Sequence, residues 1–189
     1  FDGDFVINCI GAIHQRTSEF GVNTDLPIWL DVLKKDFKII HPGTDCEIDD
    51  DGYGNSKREA AEYLLKEGRD TTIIKTSIIG PELNTQSSLL EWFLDSEGEV
   101  SGYSEAYWNG NTTLHWAKVC YGIMSDWGNY DKLNIISTQN VSKYELLNII
   151  KDVFNKDIKI NKNDSVEINK CLTKTLTTEN ENIKKQLIE

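Results

Sequence analysis

A tyrosine and a lysine four residues apart, Tyr53 and Lys57, stand at the start of a helical pattern in residues 43–57. On a helix such residues share a face, about one turn from each other. An ammonium beside a phenol favours the phenolate, so the spacing predicts a lowered Tyr53 pKa. A tyrosine tuned this way can give a proton to a carbonyl oxygen while a hydride arrives at carbon. Thr44 follows an apolar run at 37–41, and its hydroxyl is placed to hold the same oxygen. Tyr-x-x-x-Lys recurs by chance in many chains as a surface pair, so the reading depends on the elements around it.

Those elements alternate between strand and helix. An apolar run over 4–11 reads as a buried parallel strand closing on Gly11 and Ala12. These small residues admit a ligand or another backbone, and tight packing explains them equally well. Thr24 reads as the cap of a helix to about residue 35, with Pro27 in its first turn and Leu26, Leu30 and Leu33 inward. A strand over 37–41 precedes the Thr44 segment. The Tyr53 helix continues to about residue 66, with Ala60, Ala61, Leu64 and Leu65 inward and Gly68 as its stop. Asp49, Asp50 and Asp51 suit its N-terminus, where the dipole favours negative charge.

Residues 71–80 predict a strand running into Gly80-Pro81, 86–95 a short helix, and 98–111 a polar, aromatic loop. A helix over 112–126 carries the stripe Trp116, Val119, Cys120 and Ile123, which reads as core. A strand follows at 132–137. Ser142 and Glu145 form a capping box before a helix to about 154, and 157–160 predicts a short strand. Thr178 and Glu181 form a second capping box, opening a last short helix. Units of about 30 residues imply βαβ crossovers and a parallel sheet, with ligands outside the strands' carboxyl ends. Residues 8–12, Thr44 and 76–80 converge there.

The chain has 189 residues, a net charge of −11 and a pI near 4.8. Phosphate binding by a nucleic-acid partner wants clustered Lys and Arg, and the richest lysine stretch, 151–170, is interleaved with Asp and Glu. No apolar run approaches the ~20 residues that span a bilayer, and no signal-peptide pattern appears. Cys9, Cys46, Cys120 and Cys171 are widely spaced, which reads as reduced thiols in a cytoplasmic protein. His14, His41 and His115 show no ligand spacing, so no metal is expected, although His14 follows the 8–12 loop closely enough to touch a ligand there. Glu47, Asp49 and Asp51 imitate half a calcium loop, but Arg58 stands where a bidentate Glu is required, so they read as a solvated acidic turn. The sequence does not open on Met and enters a strand-like run at once, which reads as the later part of a longer protein.

The ordered motifs resemble the extended short-chain dehydrogenase/reductase superfamily, and within it the dTDP-4-dehydrorhamnose reductase group. Tyr53-Gly-Asn-Ser-Lys57 resembles that family's Tyr-Gly-x-Ser/Thr-Lys, and Gly43-Thr-Asp its Ser-Thr-Asp. Val6-Ile-Asn-Cys-Ile-Gly-Ala, Val22-Asn23, Thr76-Ser-Ile-Ile-Gly-Pro and Trp108-Asn-Gly-Asn-Thr-Thr-Leu resemble further family segments in the same order. The resemblance implies an α/β, Rossmann-like parallel sheet, incomplete at its N-terminus, in residues 1–80. It implies a small C-terminal substrate lobe mainly in 81–189, with the strand near 132–137 returning to the main sheet.

The resemblance also implies NADP or NAD as cofactor and a keto-sugar carried on a nucleotide as substrate. Tyr53 would be the proton donor, Lys57 would hold the nicotinamide ribose, and Thr44 would bond the carbonyl. Asn8, Gly11, Ala12 and Ser77 would border the cofactor, and Trp108 with Asn109 the substrate. The family's Gly-x-x-Gly-x-x-Gly loop is absent, the segment 45–52 is shorter than the family's, and residues 75–80 lack its arginine and aromatic residue. These departures keep open an epimerase or dehydratase of the same superfamily, and a non-catalytic binding subunit. They leave a homo-oligomer, or a partner chain supplying the N-terminal part, as the expected assemblies.

Overall fold

The computed structural model describes residues 3–33, 36–83 and 88–189. In chain order the elements are β1 (Phe5–Ile7), α1 (Gly21–Leu33), β2 (Lys38–Gly43), α2 (Gly52–Glu67), β3 (Thr71–Lys75), β4 (Ile78–Ile79), α3 (Leu89–Asp95) and β5 (Glu99–Trp108). They continue as β6 (Asn111–Thr112), α4 (Thr113–Ser125), β7 (Leu133–Ile135), β8 (Val141–Ser142), α5 (Lys143–Val153), β9 (Lys159–Asn169) and α6 (Ile183–Ile188). The chain packs as two compact units that interleave in sequence. One holds Phe1–Thr76 and Val119–Ile135, the other Ser77–Lys118 and Ile136–Glu189.

The first unit is built on a parallel sheet of order β1-β2-β3-β7. Its two central strands, β2 and β3, are short runs buried on both faces, as a sheet covered by helices requires. Ile39, Ile40, Ile73 and Ile74 are all buried. The register sets Ile7 beside Ile40 and Gly43 beside Lys75, so β1, β2 and β3 end toward the same edge. A Cβ on Gly43 would stand 3.0 Å from the Lys75 Cβ and from Glu47 Oε1, which explains the glycine at that strand end.

Helix α1 starts at Gly21, three residues before the expected cap, and Pro27 lies inside it. Its buried face is Asn23, Pro27, Leu30 and Asp31, while Leu33 is exposed, so the expected Leu26–Leu30–Leu33 stripe is not the packing face. The reason is polar. Thr24 Oγ1 donates to the Ser56 carbonyl at 2.9 Å, and Asp31 Oδ1 accepts from Thr71 Oγ1 at 2.7 Å. The expected continuation to residue 35 falls outside the described residues. In α2, Asp51 is the N-cap, its Oδ1 accepting from the Gly54 amide at 2.7 Å. Ala60, Ala61 and Leu64 face inward. Gly68 ends this helix without left-handed geometry; a Cβ there would lie 2.3 Å from the Leu64 carbonyl oxygen.

The second unit contains the sheet β8-β5-β9 and a core of Ile79, Leu90, Phe93, Trp108, Leu146, Leu147, Ile150 and Ile183. Two expectations fail here. Residues 98–111 form the ten-residue strand β5 rather than a loop. Its buried positions are Gly102, Ser104, Ala106 and Trp108, a period-two pattern disguised by small and polar residues. The short strand at 157–160 is the eleven-residue β9, which pairs in parallel with β5. Its lysines, asparagines and acids are those of an exposed edge strand, so hydropathy misses it. Ser142 caps α5 in a reciprocal box with Glu145. Thr178 and Glu181 do bond, at 3.2 Å, but α6 begins later, capped by Asn182. The start expected for α3, at 86, lies outside the described residues.

The Asp51 cap gives a direct test of how α2 is held. Asp51→Ala should lower unfolding free energy by ~1 kcal/mol, whereas Asp51→Ser, which keeps a capping oxygen, should lose only a few tenths. Urea denaturation of both variants checks this. Equal losses would assign the effect to the exposed His14–Asp51 pair instead.

Candidate active site

Of the residues singled out at the sheet edge, Asn8, Gly11, Ala12, Thr44, Tyr53 and Lys57 lie in the first unit. Thr44 follows β2 directly and caps a short 3-10 turn, Asp45–Ile48. Its amide donates to Glu47 Oε1 at 2.9 Å, and its hydroxyl donates to Asp45 Oδ1 at 3.1 Å. The Thr44 side chain stands beside the Tyr53 phenol. Phe20 and His14 pack against the Tyr53 ring, with centroids 5.9 and 5.0 Å away. His14 Nε2 lies 3.4 Å from Asp51 Oδ2.

Lys57, one turn along α2, is 8% exposed, and its ammonium donates to the Pro42 carbonyl at 2.8 Å. Burial lowers its pKa to about 8, against the pull of Glu47. The expected lowering of the tyrosine pKa does not occur. Burial pushes Tyr53 up to about 12; Cys46, Asp45 and Glu47 push the same way, and the neighbouring Thr44 side chain opposes them. Desolvation of the phenolate outweighs that one favourable influence. Tyr53 is therefore fully protonated at neutral pH.

The loop beyond β1 is held from two sides. Asn8 donates through Nδ2 toward His41 Nδ1 at 3.2 Å and accepts from the Ile10 amide at 3.1 Å. Asn23 Oδ1 accepts from the Ala12 amide at 2.8 Å, and its Nδ2 donates to the Ala12 carbonyl at 3.0 Å and to Ser56 Oγ at 3.2 Å. Ser56 Oγ in turn donates to the Tyr53 carbonyl at 2.7 Å. A Cβ on Gly11 would stand 3.2 Å from Asn23 Oδ1, so the glycine lets the amide in. Asn23, Ser56 and His41 were not singled out as site residues. The only local sign was the Val22-Asn23 pair.

Ser77, Trp108 and Asn109 belong to the second unit. The Ser77 carbonyl accepts from the Asn111 amide at 2.9 Å. Trp108 is buried, with Lys143 Nζ 5.2 Å from its ring centre. Asn109 spends its amide on Asn140 Oδ1, the Leu172 carbonyl and the Leu172 amide, at 3.0, 2.9 and 2.9 Å. These contacts tie that unit together. The acidic turn is likewise committed: Glu47 Oε2 pairs with Lys75 Nζ at 2.7 Å, and Asp51 caps α2.

No family model matches this sequence, and no curated protein matches it. Solved structures resemble it in fold. A dTDP-4-dehydrorhamnose reductase from Bacillus anthracis, in complex with NADP, matches 86% of this chain and 66% of its own, at TM-score 0.68 and 12% identity. A UDP-N-acetylglucosamine 4-epimerase from Methanobrevibacter ruminantium matches 99% and 75%, at TM-score 0.72 and 16% identity. A dTDP-glucose 4,6-dehydratase from Bacillus anthracis, in complex with NAD, matches 98% and 72%, at 0.64 and 12%. The chain thus shares the Rossmann-like α/β fold of these solved structures. It spans 66% or less of the length of the reductase structures from Bacillus anthracis and Clostridium acetobutylicum.

The raised Tyr53 pKa is measurable. At pH 11 about nine in ten ordinary tyrosines are ionised, while Tyr53, with its pKa near 12, keeps its proton. The difference between the ultraviolet titrations of wild type and Tyr53→Phe should therefore appear only above pH 11. Because the folded-state pKa is raised, the contribution of Tyr53 to stability is intact below pH 10 and declines as pH rises toward 12. A difference signal centred at or below pH 10 would contradict the burial.

Proposed function

We propose that the chain is the tyrosine-bearing part of an NAD(P)H-dependent oxidoreductase that reduces a keto group on a nucleotide-linked sugar, a reductase like those acting on dTDP-4-dehydrorhamnose. The observation that carries this reading is the placement of Thr44 at the carboxyl end of β2 and of Tyr53 and Lys57 one turn apart at the start of α2, with the Lys57 ammonium buried against the Pro42 carbonyl. The residues also suit a nicotinamide cofactor. Lys57 uses one of its three donors on Pro42, and residues 9–11 form an exposed loop just past β1. Bound NAD(P)H would supply the hydride to the carbonyl carbon.

The chain's own residues account for the proton. Tyr53 donates to the carbonyl oxygen as the alcohol forms, and the Thr44 hydroxyl holds that oxygen in place. Tyr53 is a weak acid here, so its phenolate needs support as it appears. The Lys57 ammonium supplies it, directly or through ribose hydroxyls. Asn8, Gly11 and Ala12 border the cofactor in this reading, and Trp108 with Asn109 shape the substrate lobe from within. A dehydratase is the second reading, favoured by the buried Asp45 carboxylate against the Thr44 hydroxyl.

The test is NADPH oxidation with a panel of nucleotide-linked 4-keto-hexoses. Tyr53→Phe should reduce kcat by at least about 100-fold while cofactor affinity stays within about twofold. Wild-type turnover by that variant would remove Tyr53 from the chemistry. If wild type oxidises no cofactor but eliminates water from a 4,6-hydroxylated sugar nucleotide, the dehydratase reading replaces the reductase.

A further inference from the structure

Asn8 and His41 form a buried polar pair that the proposed proton transfer does not use. Asn8 is 3% exposed and His41 1%. The Asn8 backbone amide donates to the Ile40 carbonyl at 3.0 Å, fixing where its side chain starts. Its Oδ1 accepts from the Ile10 amide, so its Nδ2 must be the atom 3.2 Å from His41 Nδ1. An NH2 group can only donate, so Nδ1 carries the lone pair and the neutral ring carries its proton on Nε2. Burial, with the Lys57 ammonium acting the same way, keeps the ring neutral by lowering its pKa to about 3.

Nε2 is buried and has no hydrogen-bond partner among the described residues. Leaving such a donor unmet carries a desolvation cost that an apolar side chain at this depth would not incur. The contribution of His41 is therefore its acceptor at Nδ1. Reversing the Asn8 carboxamide would set NH2 against the Ile10 N–H, so the histidine selects the one orientation that holds the loop.

We propose that His41 is a positioning residue for the cofactor loop: by accepting from Asn8 it fixes the carboxamide that holds the Ile10 amide, and so sets the shape in which residues 9–11 meet the nicotinamide nucleotide. Asn23 anchors the far end of the same loop at Ala12. The ligand named here rests on the oxidoreductase reading, while the positioning itself does not.

Two variants separate the two ring nitrogens. In His41→Asn the carboxamide oxygen can stand where Nδ1 was; in His41→Gln a polar atom stands nearer the Nε2 position. His41→Asn should bind NADPH within about threefold of wild type, and His41→Gln about 10-fold more weakly, the loss of one buried hydrogen bond. At saturating NADPH both should keep kcat within about twofold, because neither touches the reacting atoms. Amide exchange at Ile10 should accelerate in His41→Gln alone. Nitrogen-15 NMR of histidine-labelled wild type should show a pyridine-type Nδ1 and a pyrrole-type Nε2. The opposite tautomer, or unchanged Ile10 exchange and NADPH affinity in His41→Gln, would overturn the positioning role. Should wild type bind no NADPH, the oxidoreductase reading fails, and tautomer and exchange still decide the positioning.

Discussion

The buried amide of Asn23 holds three parts of the first unit at fixed separation. It takes both backbone groups of Ala12 and reaches Ser56, which bonds the Tyr53 carbonyl. One side chain in the first turn of α1 thereby couples the loop after β1 to the first turn of α2. Thr24, its neighbour, reinforces the join through the Ser56 carbonyl. Removing one partner from such a network strands the others in a low-dielectric interior, at roughly 1–3 kcal/mol for each group left unpaired. The loop, α1 and α2 therefore shift together or not at all, and the separation between Ala12 and Tyr53 is set by hydrogen bonds rather than by apolar contact alone.

The electrostatics of the site follow from burial. Desolvation is the largest influence on both Tyr53 and Lys57, and it disfavours charge on each. A phenol near 12 and an ammonium near 8 have moved away from the ion pair that their spacing suggests. Geometry explains this: the ammonium is turned to Pro42, whereas Asp45, Cys46 and Glu47 surround the phenol. The site rests with its proton on oxygen, the state a reduction needs at its start, and phenolate is stabilised only when a neighbour can deliver positive charge.

Much of this arrangement was legible in the sequence, and the exceptions share a cause. β2, β3, α2 and α5 announce themselves through apolar runs and capping residues that lie within a few positions of each other. Thr44, Tyr53 and Lys57 could be found because a helix makes spacing visible. Asn23 and His41 could not, nor could the contact of Ser56 with Asn23, since these partners lie 11 to 33 residues apart and no local pattern encodes the contact. β5 was missed because its buried face is Gly102, Ser104 and Ala106, and β9 was read too short because an exposed edge strand needs little apolar side chain. The packing face of α1 was misassigned because it buries Asn23 and Asp31, which hydropathy counts as outward.

The charge distribution constrains how a phosphorylated ligand could be held. The chain carries −11 overall, and the cations near the site already have partners. Lys75 is paired with Glu47, and the Arg58 guanidinium is tied to the carbonyls of Glu47 and Asp49 and to the Asn55 side chain. At physiological salt the Debye length is about 8 Å, so distant lysines contribute little. Long-range attraction thus works against an anionic ligand rather than for it. What remains is short-range: the partly used Lys57 ammonium and backbone N–H groups whose directions are fixed by side-chain amides. In the proposed reading, a site of this kind gains affinity from the exactness of its donors' placement, which is how the carboxamides of Asn8 and Asn23 would bear on ligand recognition.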